Sequence, residues 1–196
     1  VGFSSRLSLF EAVEYLRARR ERLPVRAVEW LDRYCCDMLR EKPGRIAIPA
    51  GEGGALYIEL DGDENSVEKA VEELAVSLEG GGGDMDGAQI FQSLADIRDF
   101  DELRHRVPDT MNHRGAERKR LAGGGKLSTD WSVPMGALDE LLKWTADALS
   151  GIGIDGCYTY GHIGNGHPHQ NIICPNAEVR GEVLVVLKEQ LKRCLK

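Results

Sequence analysis

Gly161-His162-Ile163-Gly164-Asn165-Gly166-His167-Pro168-His169-Gln170-Asn171 places three of the chain's five histidines within eight residues, interleaved with glycines. The flanks, Cys157 to His162 and His169 to Cys174, read as strands. Pairing them as a hairpin with His162 opposite His169 leaves Ile163 to Pro168 as the loop. Directly opposite residues of an antiparallel pair share a face and lie roughly 5 Å apart at Cα. At that spacing two imidazoles can share one divalent metal ion. Gly164 and Gly166 suit a loop that turns sharply and lets backbone approach a ligand. The alternative is a surface turn that merely contains histidines; the convergence of the rings favours a metal site over it.

Outward from the hairpin, periodicity predicts six helices and several short strands. Ser8 and Glu11 form a capping-box pattern ahead of Leu9, Phe10, Val13 and Leu16, and Leu23-Pro24 breaks that helix. Ala27, Trp30, Leu31, Tyr34, Cys35, Met38 and Leu39 line one face of an expected second helix ending near Pro43-Gly44. Arg45 to Pro49 and Ala55 to Leu60 read as strands joined by a turn at Gly51 to Gly54. Asn65 is the expected cap of a third helix, and Gly80 to Gly83 a connector to a short strand near Ala88 to Gln92. A fourth helix is expected from about Asp99 towards Met111, then a loop at Gly123 to Gly125 and an extended Lys126 to Val133. A fifth helix carries Leu138, Leu141, Leu142, Thr145 and Leu149, and a last one Val183, Val186, Leu187, Leu191 and Leu195.

Short turns between these elements favour antiparallel neighbours. The expected class is therefore α+β, an antiparallel sheet with helices packed mainly on one face, its two halves meeting near the Gly80 loop. The chain has 196 residues, 42% of them hydrophobic and 29% charged, which is ordinary for a globular protein. A net charge of −7 argues against a nucleic-acid binder. The basic run Arg17 to Arg22 reads as a solvated helix end or interface rim. No apolar run of about 18 residues offers a membrane span, and the N-terminus has no signal-peptide pattern. A chain beginning at Val1 is expected to be a fragment or a processed product. Five cysteines are an odd number without framework spacing. Cys157 and Cys174 would face each other across the hairpin as reduced small hydrophobes. There is no dinucleotide fingerprint, P-loop, nucleophile elbow or C-x-x-C, so the glycine runs read as hinges.

The histidine motif resembles that of the C-terminal cap domain of FAD-linked oxidases, the family of D-lactate dehydrogenase, the glycolate oxidase large subunit and D-2-hydroxyglutarate dehydrogenase. The family pattern H-x-G-D-G-N-x-H is similar to His162-Ile163-Gly164-Asn165-Gly166-His167-Pro168-His169, with Asn165 and His167 as departures from its Asp and Asn. Leu103-Arg104-His105-Arg106-Val107-Pro108 is similar to the family's arginine-bearing helix. Lys126-Leu127-Ser128-Thr129-Asp130-Trp131-Ser132-Val133-Pro134 is similar to its extended segment, in a register that could slip by two, and Ala27 to Cys35 to its early helix.

The resemblance, which covers nearly all of residues 1–196, implies a ferredoxin-like cap (substrate) domain. FAD would be bound by a domain that precedes it, and nothing in this segment would bind that cofactor. Also implied is oxidation of a small 2-hydroxy acid, D-lactate-like or glycolate-like, with the hydride passing to flavin. His162 and His169 would hold a divalent metal such as zinc together with a glutamate from a later S-x-E-H-G segment. Arg104 would clamp the substrate carboxylate and Lys126 would add a second cation, while His167 would be an extra ligand, a base or a loop residue. Further implications are inactivity of the segment alone and a cytoplasmic location that includes the inner face of a membrane. A homo-oligomer or an electron-transfer subunit would be the partner. The competing readings are a non-catalytic module binding a metal or small ligand, and a subunit-assembly domain.

Overall fold

The computed structural model describes residues 1–195. Its strands are β1 (Gly2–Phe3), β2 (Val25–Leu31), β3 (Gly54–Leu60), β4 (Gly83–Asp84), β5 (Gly123–Ser128), β6 (Tyr158–His162) and β7 (His167–Asn176). The helices are α1 (Arg6–Ala18), α2 (Arg33–Arg40), α3 (Glu64–Gly80), α4 (Leu94–Ala122), α5 (Met135–Ser150) and α6 (Ala177–Cys194). All pairings are antiparallel, in one seven-stranded sheet of order β4-β1-β3-β2-β6-β7-β5. The fold is α+β, as expected. The strands before α4 lie side by side, as do those after it. The two groups meet only between β2 and β6, where Trp30 pairs with Gly161 and Leu31 with Tyr160.

Alternation along the strands divides the core. Val28, Trp30 and Leu56 pack with the apolar stripes of α1, α3 and α5, and Ile172 and Cys174 continue that face against α5 and α6. Leu31, Tyr57, Tyr158, Tyr160 and Ile173 point the other way, against α2 and α4. Four helices thus cover one face, the main one, and two cover part of the second.

Several local expectations are corrected. Val25–Leu31 is a strand, because Val28 and Trp30 bury with period two, and the helix begins only after Asp32, whose carboxylate caps it by accepting from Cys35 N. Ser5, not Ser8, caps α1, and Asp63, not Asn65, caps α3. Helix α1 stops at Ala18, short of the Leu23-Pro24 break. Arg45 to Pro49 and Ala88 to Gln92 form no strands, and β3 pairs with β1 and β2 instead. Helix α4 is far longer than expected. A Ser93–Asp96 capping box opens it, it passes through Pro108, and it stops only at Gly123 in the left-handed region. Gly123 to Gly125 belong to β5 rather than a loop. A Cβ at Gly115 would sit 2.6 Å from the Lys126 Cβ, so glycine there lets α4 lie close on β5.

Candidate functional site

The histidine hairpin forms in another register than expected. A single 3₁₀ turn, Ile163–Asn165, closes it, with Ile163 buried and Gly166 in the left-handed region at φ 70°. The loop is four residues rather than six. Consequently His162 faces His167, and His169 faces Tyr160. Because the shift is by two residues, all three histidines keep the same face, the one that carries α4. Ring centroids lie 6.2 Å apart for His162 and His167, 5.9 Å for His162 and His169, and 4.8 Å for His167 and His169. Cys157, before the start of β6, and Cys174, which pairs with Gly125, do not oppose each other, and all five thiols are free.

Two acidic residues that local sequence gave no reason to single out complete this corner. Glu29 lies on β2 beside His162. Its Oε1 is 3.2 Å from Arg104 Nη2 on α4 and 3.4 Å from His162 Nδ1, and its side chain is only 13% exposed. Reading Val25–Leu31 as a helix hid this, because the alternation of a strand is what turns Glu29 towards the histidines. Asp130 follows β5. Its Oδ1 accepts from His167 Nε2 at 2.6 Å and lies 3.7 Å from His169 Nδ1. The hydrogen bond from His167 and the neighbouring imidazoles hold its carboxyl below the usual range.

Asp130 is fixed by its neighbours. Thr129 N donates to Gln170 O at 2.9 Å, and Gln170 N donates back to Thr129 Oγ1 at 3.1 Å. Trp131 is buried and donates to Gln190; Ser132 Oγ donates to Asn165 O, and Val133 N to Gly166 O. The segment is thus stitched to the hairpin on both sides of an outward-pointing carboxylate.

Arg104 and His162 meet at Glu29, and His167 and His169 meet at Asp130, at one end of the hairpin; Lys126 stands apart from them. It pairs with Ile173 on the same face, four residues along β7 from His169. At about 3.4 Å per residue that is roughly 14 Å. Lys126 is half-buried, its amine pushed below its ordinary value by that burial, and it makes no ion pair among the described residues. The position nearer the cluster is Ser128, which pairs with Asn171 and donates to its Oδ1 at 2.8 Å.

The donor set fits a divalent transition metal. Imidazole nitrogens and a carboxylate converge, with part of each group open to solvent. Asp130, His167 and His169 each offer a ligand atom, all within 4.8 Å of one another. The whole of residues 1–196 matches the family described as FAD linked oxidases, C-terminal domain, and the chain belongs to that family. No curated protein matches it. No helix among the described residues is long and apolar enough to cross a membrane.

Proposed function

We propose that this domain is the substrate-binding half of an FAD-dependent oxidase acting on a small 2-hydroxy acid. The observation that carries the reading is the convergence of Arg104 and three histidines on one open sheet face, in a chain of this family. The flavin, bound by an associated domain, would supply the two-electron acceptor. Arg104 would take the carboxylate, since a guanidinium donates two parallel charge-assisted hydrogen bonds. Glu29 pairs electrostatically with that guanidinium, its Oε1 3.2 Å from Nη2, which orients the fork and leaves other N–H groups for substrate. The histidine face would receive the hydroxyl and, with metal bound there, lower its pKa so that a neighbouring base takes the proton. An acid of two to four carbons cannot also reach Lys126, so that residue lies outside the clamp.

The test is anaerobic flavin bleaching and steady-state turnover of the protein with its FAD-binding domain, over a panel of D-2-hydroxy acids. Arg104→Gln should raise KM by about two to four kcal/mol equivalents, with kcat less affected, because binding present in both ground and transition states is lost. Lys126→Met should leave KM nearly unchanged. Failure of every hydroxy acid to bleach the flavin, or equal KM effects at both positions, would sink the reading.

A further inference from the structure

We propose that a cavity behind the β2–β6 seam binds a small organic cation, a primary ammonium group carried on a short apolar body. The cavity lies on the sheet face opposite the histidines, so the proposal goes beyond the oxidase reading and does not rest on it.

Strand alternation places the site. Leu31, Tyr158 and Tyr160 face α2 and α4, so their neighbours Trp30, Asp32 and Thr159 face α1 and α5. Together with Gln170 on β7 they border a cavity of about 400 Å³, which α5 and the segment leading into β6 close from the other side. Trp30, Leu142 and Ile154 give it an apolar wall against which a ring or a short alkyl chain can lie.

The charge that selects the ligand is Asp32, which is only 7% exposed. Its carboxylate accepts from the backbone amides of Cys35 and Thr159, and among the described residues no cationic side chain pairs with it. Buried charges are ordinarily paired with an opposite charge. A carboxylate has about four acceptor positions, so the two amides leave room for another donor. The two arginines of the cavity are engaged elsewhere: Arg6 Nε lies 2.9 Å from Asp139, and Arg33 Nη1 lies 2.8 Å from Glu52. Asp147 and Asp155, both exposed, add carboxylates at the rim. Asp147 also sits in the last turn of α5, where the helix carbonyls carry partial negative charge and no basic residue offsets it. Four carboxylates thus border the cavity beside two guanidiniums that are already paired, and that field favours a cation over an anion. An acceptor at the floor selects a primary ammonium, which donates N–H bonds, over a quaternary one, which has none.

Calorimetry and ligand-observed NMR on the full chain at neutral pH test this with three probes of one shape: benzylamine, benzyl alcohol and benzoate. Benzylamine should bind at one equivalent with a Kd of about 1 mM or lower. The alcohol should bind at least about tenfold more weakly, and benzoate should not bind, because neither carries the charge that Asp32 lacks. Asp32→Asn should weaken benzylamine at least about tenfold, with circular dichroism checking the fold. Asp147→Lys keeps Asp32 and its bonds and places a cation where the helix end favours one, so its fold should hold; benzylamine should weaken at least about threefold. Equal affinity for the amine and the alcohol would reduce the cavity to an apolar hole, and tighter binding of benzoate would assign it to the arginines. Either result would overturn the proposal, as would no binding of benzylamine or unchanged affinity in either variant.

Discussion

Asp32→Asn tests the charge that the fold buries where β2 meets the hairpin. Asp32 is 7% exposed. Its Oδ1 accepts from Cys35 N at 2.8 Å and its Oδ2 from Thr159 N at 2.6 Å, so one carboxylate caps α2 and ties it to β6. Burial outweighs these two bonds and pushes the carboxyl from 3.8 up to about 6. The unfolded carboxyl therefore ionises first as pH rises, and between about 4 and 6 the folded protein holds more protons. Stability contributed by this group is fully present below 3.8 and is lost as pH climbs to about 6. A shift of about two units corresponds to about 3 kcal/mol. The asparagine variant carries no such charge. It keeps one acceptor and loses the other bond, a roughly constant cost of about 1–3 kcal/mol. Urea unfolding of both proteins at pH 4, 5, 6 and 7 isolates the titration, because every other group cancels in the difference. Wild type should lose about 3 kcal/mol relative to Asp32→Asn across that range. A flat difference, or one that grows with pH, would show that the two amides stabilise the charged carboxylate more than burial opposes it.

Gly166→Ala should destabilise the fold by about 2–4 kcal/mol, since φ is 70° and the added Cβ would fall 2.1 Å from Val133 O. Thermal melts measure that loss. Metal removal should matter little to stability. The three apolar clusters form the core, and the solvent-open histidine face lacks the closure of zinc sites that drive folding. Melts with and without chelator should therefore agree within a few degrees, and collapse on chelation would make the site structural.

How far the sequence reveals the molecule can be judged from particular residues. The histidine cluster was legible because its residue types are rare and crowded, and its common face survived a two-residue error in register. The register itself was not legible, since it depends on a 3₁₀ turn whose closure comes from buried Ile163 and a left-handed Gly166. Glu29 was lost because Ala27, Trp30, Leu31, Tyr34 and Cys35 satisfy a helical period by chance across a strand, a cap and a helix start. A cue was present in Asp32, a strong N-cap followed by α2, which marks where period two gives way to period 3.6. Asp130 lies between two buried residues, Thr129 and Trp131, and its partners are 37 and 39 positions away. No local pattern reports contacts at that separation.

The β2–β6 seam has a consequence for how the site works as a unit. Glu29 comes from one half of the sheet, and the three histidines and Asp130 from the other. Only two residue pairs and the rungs at Asp32 and Thr159 join the strands there. Helix α4, reaching across with Arg104, belongs in sequence to the boundary between the halves. Helices α1 and α5 share one apolar cluster across this seam, and Arg6 on α1 pairs with Asp139 on α5, so packing as well as the strand rungs holds Glu29 against His162. The partner that orients Arg104 and the histidine face therefore come from different halves of the sheet, and their alignment is set by this joint rather than by either half.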